Sequence, residues 1–326
     1  MYRKSNILFL MTSTPLHAGS GSDLGIVDLP IQRERHTGFP KIEASSLKGA
    51  IRENFESIDK FDVSEKTIEI NKKASNKDLY LVFGPEGDDV HAGAIGFSDA
   101  RLLLFPVKSM KGVFAWITCP KVLEQFKRDM KIAGIEVSIP QFDKIEDNTC
   151  YSNSNTLVFN NKLVLEEYTF GVKKITQNFK IADKDFGTWL SENFAKSTQW
   201  AKKIKTDIVI LNNDDFKDFV ELSTEVITRT KINNKTGTVE SGALFTEEYL
   251  PAETFMYSLA FSSDLFLNND LRKKTYSDSK LVGLKSTNEA EVVMEFLKKG
   301  LDKLNNFIQI GGNSTLGKGL THIKLI

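Results

Sequence analysis

At 326 residues, with 40% hydrophobic and 26% charged, the chain has ordinary globular composition and ample length for a real core. No apolar run approaches the roughly 20 residues of a membrane helix, and Met1-Tyr2-Arg3-Lys4 leads into a strand-like segment, not a signal peptide. Lys plus Arg and Asp plus Glu are both 43, which disfavours a free, promiscuous RNA binder; an RNA-binding chain with this balance must segregate its charges.

In chain order, short runs rich in β-branched residues and Phe predict strands at Ile7–Thr14, Ala94–Leu104, Val113–Thr118, Leu163–Phe170, Asp207–Leu211, Phe255–Phe261, Phe307–Ile310 and Thr321–Ile326. Helices are predicted over Ser45–Phe55, Lys121–Ala133, Lys184–Ala195, Asp214–Ser223 and Glu289–Leu304. In the first, Leu47, Ile51 and Phe55 fall on one face and Lys48 and Arg52 on another. Asp185 and Asp214 suit N-caps, while Gly134 and Gly300 suit helix ends. Polar stretches at Ser57–Lys77, Ile135–Asn161 and Ile175–Asp183 interrupt the pattern and read as insertions or long loops. Together these elements predict an α+β sandwich with excursions. Cys119 and Cys150 lack Cys-x-x-Cys spacing, and the four histidines are scattered, which disfavours disulfides and zinc and suits a reducing cytoplasm.

Glu225–Lys231 and Thr238–Phe245 flank Ile232-Asn233-Asn234-Lys235-Thr236-Gly237 and predict a β-hairpin. Arg229, Lys231 and Lys235 give it a polar, basic face expected to project into solvent or onto a ligand.

The segment His17–Arg52 carries the most chemistry. It opens with His17-Ala18-Gly19-Ser20-Gly21-Ser22, passes Asp23 and Asp28, and ends in the helix start at Ser45-Ser46. From Arg33 to Arg52 five cations (Arg33, Arg35, Lys41, Lys48, Arg52) oppose two anions (Glu34, Glu43). Glycines admit a ligand to the backbone and cations suit phosphates, so the combination points to a grip on an RNA backbone. Asp28, set among apolar residues, is either a turn acid or a group that ligates a metal or positions a 2′-hydroxyl. Asp23 reads as a turn residue. His17 is either a structural hydrogen-bonder or a phosphate or proton-transfer group, and His36 a backbone contact. Ser45 and Ser46 read as a capped helix start able to hold a phosphate, with Lys48 and Arg52 contacting RNA.

Near the carboxyl end, Gly312-x-x-x-x-Gly317-Lys318 falls short of a phosphate-binding loop for nucleotides. Gly319 stands where Ser or Thr should be, and only Leu320–Ile326 follow. Gly311, Gly312, Asn313, Gly317, Lys318 and Gly319 read better as a cradle for RNA phosphates. Glu247-Glu248-Tyr249 is either a solvated acidic turn or a source of helpers at the site.

The loop H-x-G-S-G, the run L-G-x-V-D-x-P-I-Q-R-E-R-H-T-G-F-P and the start S-L-K-G-x-x-R resemble the signature of the backbone subunits of type III-B (Cmr) CRISPR effector complexes. These belong to the RAMP superfamily, whose closing glycine-rich loop the stretch Gln309–Gly319 also resembles. The middle, roughly residues 56 to 201, carries little of the resemblance. The resemblance implies a single ferredoxin-like (RRM-like) RAMP palm over 1–326, with insertions near 57–77 and 135–161 and a protruding thumb hairpin near 225–245. It implies a metal-dependent endoribonuclease that acts within the assembled complex. Its partners would be guide CRISPR RNA, target RNA, further copies of itself and other Cmr subunits, with no membrane. Asp28 takes the position used for target cleavage, with Mg2+ or Mn2+, and His17, Glu247 and Tyr249 assist. Gly19, Ser20, Gly21, Arg33, Arg35, His36, Ser45, Ser46, Lys48, Arg52, Arg229, Lys231 and the closing loop would contact RNA. Two alternatives keep the fold: a non-catalytic guide-binding scaffold, and a stand-alone RAMP ribonuclease that processes CRISPR transcripts.

Overall fold

The first strand, Lys4–Thr12, lies inside the largest sheet, flanked on both sides, and Ile7, Leu8, Phe9 and Leu10 leave neither of its faces polar. It pairs antiparallel with Phe255–Ser262 on one side and Leu320–Leu325 on the other, bringing the two ends of the chain together. The computed structural model that shows this describes residues 2–22, 25–70, 76–86, 91–142, 144–177, 179–195, 200–283 and 288–326. Asp23 and its predicted turn lie outside them.

Among the described residues the sheet has twelve strands. Its main path runs Lys162–Leu165, Tyr168–Lys173, Thr149–Ser152, Ile208–Ile210, Phe114–Thr118, Ala100–Lys108, Phe255–Ser262, Lys4–Thr12, Leu320–Leu325 and Phe307–Gln309. Lys41–Ile42 and Ile95–Phe97 pair beside this path. Two of its pairings are parallel and the rest antiparallel, so the predicted α+β class holds as a large mixed sheet with helices packed on it. No helix among the described residues is long and apolar enough to cross a membrane.

Helix Ala44–Glu56 buries Leu47, Ile51 and Phe55, as their spacing requires. Its start differs from the expectation. Glu43 is the N-cap residue, with no side-chain cap, and Ser45 and Ser46 already lie in the first turn. The Ala44 N–H instead donates to Asp99 Oδ1 at 2.9 Å, a cap supplied from another segment. Asp214 likewise sits inside its helix, Asn213–Leu222, whose cap is Asn212 accepting from the Asp215 N–H at 2.7 Å. Asp185 does cap, but only the short helix Phe186–Leu190. The predicted Lys184–Ala195 helix is divided, with Lys184–Asp185 in a strand and a π-helical turn over Ser191–Ala195. The predicted strand Leu163–Phe170 folds into two at Glu166, whose φ of 48° makes the turn, and Ala94–Leu104 also divides.

The described parts of the intervals read as insertions include packed elements. Lys60–Val63 and Lys66–Glu69 form a hairpin whose Phe61 meets Phe296 at 4.9 Å, and Thr149–Ser152 is a strand of the main sheet. The predicted hairpin stands apart as its own two-stranded sheet, Glu225–Ile232 with Val239–Tyr249, longer on the return side than expected. It is not purely polar: Val226, Ile232, Val239 and Leu244 are half-exposed or more, since a ribbon wet on both sides cannot bury alternate residues.

Gly300 is not a helix end. It is buried inside Glu289–Lys303, and a Cβ there would fall 2.0 Å from the Phe55 ring. Gly300→Ala should therefore destabilise the protein by about 1–3 kcal/mol in urea unfolding, although Ala is the better helix former. Unchanged or increased stability would contradict this packing.

Candidate active site

The return strand of the hairpin, Val239–Tyr249, organises the candidate residues. Asp28 Oδ2 accepts from the Thr246 N–H at 2.7 Å and from Thr246 Oγ1 at 2.8 Å, and the Asp28 N–H donates to Thr246 Oγ1 at 3.0 Å. Backbone bonds continue the contact: the Leu29 N–H donates to the Thr246 carbonyl and the Glu248 N–H to the Leu29 carbonyl, both at 3.0 Å. Two residues along, Leu16 pairs with Leu250. Asp28 itself is exposed, and the Thr246 hydrogen bonds hold its carboxyl below the ordinary aspartate range, so it is ionised at neutral pH.

His17 meets the same strand. Its Nδ1 lies 2.7 Å from the Glu248 carbonyl, which can only accept, so Nδ1 carries the proton and Nε2 is the uncommitted nitrogen. Thr246 and Glu248, the anchors of Asp28 and His17, are about 7 Å apart along a strand. Gly19 closes over this ring: a Cβ there would sit 2.7 Å from His17 Nε2. Gly311 closes from the other side, at φ +81°, where a Cβ would fall 2.3 Å from the His17 carbonyl.

Glu247 and Glu248 are not a solvated turn; both are buried. Glu247 accepts from Arg229 Nε at 2.7 Å, from Tyr249 Oη at 2.7 Å and from Asn313 Nδ2 at 2.9 Å. Tyr249 Oη in turn accepts from Arg229 at 2.6 Å and from Asn313 at 2.9 Å. Burial alone would raise the Glu247 carboxyl, but the hydrogen bonds from Asn313, Tyr249 and Arg229 outweigh it and hold the group below the usual glutamate range. Burial pushes the Tyr249 phenol up, so it stays protonated. The Lys318 ammonium lies 4.9 Å from the Tyr249 ring centroid, a cation–π contact that brings the closing loop onto the hairpin base.

On the opposite face of the return strand, Glu248 accepts from the Ile31 N–H at 3.0 Å and from Thr224 Oγ1 at 2.8 Å, and pairs with Arg33. Arg33 also donates to the carbonyls of Gly38 at 2.8 Å and Val220 at 3.0 Å. Its guanidinium is thus spent on the fold, which departs from the expected RNA contact. Arg229 is likewise committed to Glu247 and Tyr249, and Lys231 pairs across the hairpin with Glu240 at 2.8 Å.

The closing loop also departs from an amide cradle. The N–H groups of Gly312, Gly317, Lys318 and Gly319 donate to His17, Ser314, Asn313 and Pro15 carbonyls, so the loop's amides point inward. The Ser20 N–H and Oγ both donate to the Pro30 carbonyl, and Gly19, Ser20 and Gly21 are all exposed. Ser46 accepts from Gln32, leaving Ser45 exposed on the first turn. Lys48, half-buried, donates to the Ile95 carbonyl at 3.0 Å, and desolvation lowers its ammonium from the usual lysine value. Arg52 bonds Glu56, Glu86 and the Gly84 carbonyl. Arg35 and His36 are exposed, and among the described residues Arg35 has no ion pair.

Among the described residues no three His, Cys, Asp or Glu side chains converge as a metal cage. Asp28 keeps one carboxylate oxygen outside its Thr246 contacts, which suits a hard cation held by one carboxylate and by substrate phosphates.

Comparison with protein families matches the RAMP superfamily over residues 9–322, nearly the whole chain. The chain belongs to the RAMP superfamily. Within it, the chain is 38% identical over 330 residues to the CRISPR system Cmr endoribonuclease Cmr4 of Pyrococcus furiosus, covering 99% of this chain and 96% of that one. It is 26% identical to the CMR subunit Cmr4 of Saccharolobus solfataricus, over 97% and 94% of the two. The crystal structure of oligomeric Cmr4 from Pyrococcus furiosus superposes with a TM-score of 0.65 at 31% identity, covering 99% of each chain. A chain of the type III-B Cmr-beta complex bound to cognate target RNA shares the fold at 19% identity and a TM-score of 0.65, over 99% and 98%. This RAMP chain is thus homologous to Cmr4 along its length.

Sequence reasoning missed Thr246 and Glu248, which fix the loop carrying Asp28. Only the Glu-Glu-Tyr run hinted at them. Because the Arg33–Glu248 pair is largely buried, removing one partner leaves the other uncompensated. Arg33→Met should cost about 3 kcal/mol or more in denaturant unfolding, and adding Glu248→Leu should recover part of that loss. A cost below about 1 kcal/mol would show the pair to be dispensable.

Proposed function

We propose that this protein is the repeated backbone subunit of a type III-B CRISPR effector complex, binding guide RNA and cutting the paired target RNA once per copy. The observation that carries this reading is an exposed, ionised Asp28 held on the root of a protruding hairpin, in a chain homologous to an endoribonuclease. In this reading the large sheet is the palm of a ferredoxin-like RAMP domain and the hairpin is its thumb, reaching over the guide on the next copy. Target RNA, guide CRISPR RNA, further copies and other Cmr subunits are the partners. Both thiols are free and buried, as suits a reducing cytoplasm.

The chemistry follows from RNA. The thumb displaces one nucleotide, freeing its ribose from A-form stacking so that the 2′-oxygen aligns with the adjacent phosphorus. Asp28 accepts the 2′-hydroxyl proton as that oxygen attacks. The bond from phosphorus to the 5′-oxygen breaks, and His17 Nε2, when protonated, gives the departing oxygen its proton. The products are a 2′,3′-cyclic phosphate and a 5′-hydroxyl. Mg2+ or Mn2+, held by Asp28 and RNA oxygens, would supply charge neutralisation at the reacting phosphate. Glu247, Tyr249, Arg229 and Asn313 position the hairpin root and Lys318. Phosphate contacts then fall to Arg35, His36, Lys318 and the open Gly19 and Gly21 surface, with Ser45, Ser46, Lys48 and Arg52 shaping the neighbouring helix.

Asp28→Asn should lower single-turnover cleavage of guide-matched RNA by at least about 10²-fold, the usual scale for such a group, with assembly and melting temperature unchanged. Near-normal cleavage would leave the non-catalytic scaffold in front. Replacing Lys231–Ser241 with a short Gly-Ser turn should leave a folded monomer that no longer forms ordered RNA-bound filaments; unchanged filaments in electron micrographs would refute the thumb. Arg35→Ala should weaken unrelated RNAs equally and flatten the salt dependence. A loss confined to one RNA sequence would instead mean base readout.

A further inference from the structure

The edge of the large sheet opposite the chain ends is a ribbon, Lys162–Leu165 with Tyr168–Lys173. Residues facing one another across it share a face: Lys162, Val164 and Thr169 on one, Leu165, Tyr168 and Phe170 on the other. Each face borders an open cavity, and the two are opposite in charge.

Over the first face lies a cavity of about 370 Å³ lined by Met110, Lys111, Leu157, Phe159 and Lys162. Met110 is 72% and Phe159 61% exposed, far more than large apolar side chains need be in a chain with this much core. Beside them Val113, 74% exposed, holds φ at +74°, a strained setting for a β-branched residue. Among the described residues neither Lys111 nor Lys162 has a carboxylate partner.

Beneath the second face, between the ribbon and helix Asn213–Leu222, lies a cleft of about 420 Å³ lined by Glu166, Glu167, Tyr168, Asp215, Asp218 and Leu222. Tyr168 packs edge-on against Phe219 at 5.7 Å yet remains 57% exposed, and Leu222 is 78% exposed. Among the described residues none of the four carboxylates is ion-paired, and burial with the nearby Asp147 charge raises the Asp215 carboxyl above its ordinary value. Two unpaired cations among apolar side chains thus back onto four unpaired anions among apolar side chains.

We propose that these two faces are the two halves of one head-to-tail interface, the lysine-bearing cavity of one copy seating the acidic, aromatic edge of the next. The occupant is a second copy of this chain, because the complement of each face in both charge and apolar content is the other face. A contact between different surfaces leaves one of each unused and so propagates along a row. The inference rests on the backbone-subunit reading and names the protein–protein half of that assembly. Exposed charges supply much of the contact, so association without RNA should be weak and salt-sensitive.

The test uses two charge-reversed full-length proteins in sedimentation velocity at low salt, without RNA. K111E/K162E makes both faces acidic, and E166K/E167K/D218K makes both net basic. These positions are on the surface, and a melting curve for each checks the fold. Each variant alone should self-associate at least about tenfold more weakly than the native chain, and an equimolar mixture should recover association. Undiminished self-association of either variant, or a mixture no better than its components, overturns the proposal. So does a defect appearing only with RNA, which would make the lysine face an RNA contact, or loss of binding only to another subunit. Cleavage by a single RNA-bound complex is read separately, so a failed active-site reading leaves this result interpretable.

Discussion

Five consecutive residues, Thr246–Leu250, hold the candidate site together. Their backbone pairs with Leu29 on one flank, with Glu225–Thr228 on the other and with Leu16 at the end. Their side chains alternate: Thr246 and Glu248 hold the loop of Asp28, Ile31 and Arg33, and Glu247 and Tyr249 hold Arg229 and Asn313. A strand's period of two therefore separates a loop-fixing face from a hairpin-fixing face. The hairpin cannot tilt without moving Asp28, because both are built on the same strand.

The magnitudes divide the labour. Arg33 and Glu248 are largely out of water, where losing one partner of a pair costs several kcal/mol. The Asp28–Thr246 bonds lie in solvent, where water competes for both partners and each contributes far less. In the proposed mechanism fold and chemistry are therefore carried by different acids: a buried glutamate keeps the loop in place, and an exposed aspartate is left to meet a substrate. The unpaired cations and anions on the outer ribbon follow a similar division, since charges the fold does not need are the ones left for partners.

Local patterns were legible in the sequence wherever a residue's neighbours are near in the chain. The four-residue spacing of Leu47, Ile51 and Phe55 gave the helix and its buried face, and the Asn-Asn-Lys-Thr-Gly turn gave the hairpin. Features that depend on distant partners were not legible. Arg33 read as one of a cluster of phosphate-binding cations because its partner, Glu248, lies 215 residues away. Ser45 read as a cap because nothing local reveals that Asp99 takes that position, and Gly300 read as a helix end because Phe55, which requires its missing Cβ, belongs to another helix. In the glycine-rich loop Gly311 serves the close approach to His17, and the loop's amides donate to protein carbonyls, which depends on partners at the other end of the chain.

The central claim is that the target RNA's own 2′-oxygen attacks at a ribose presented to Asp28. Its most direct test is cleavage by the assembled complex of a guide-matched target carrying a single 2′-deoxynucleotide at one mapped cut position. The account predicts that this one cut disappears while its neighbours continue at their normal rates and leave 2′,3′-cyclic phosphate ends. Persistence of the cut at the deoxy position would contradict it.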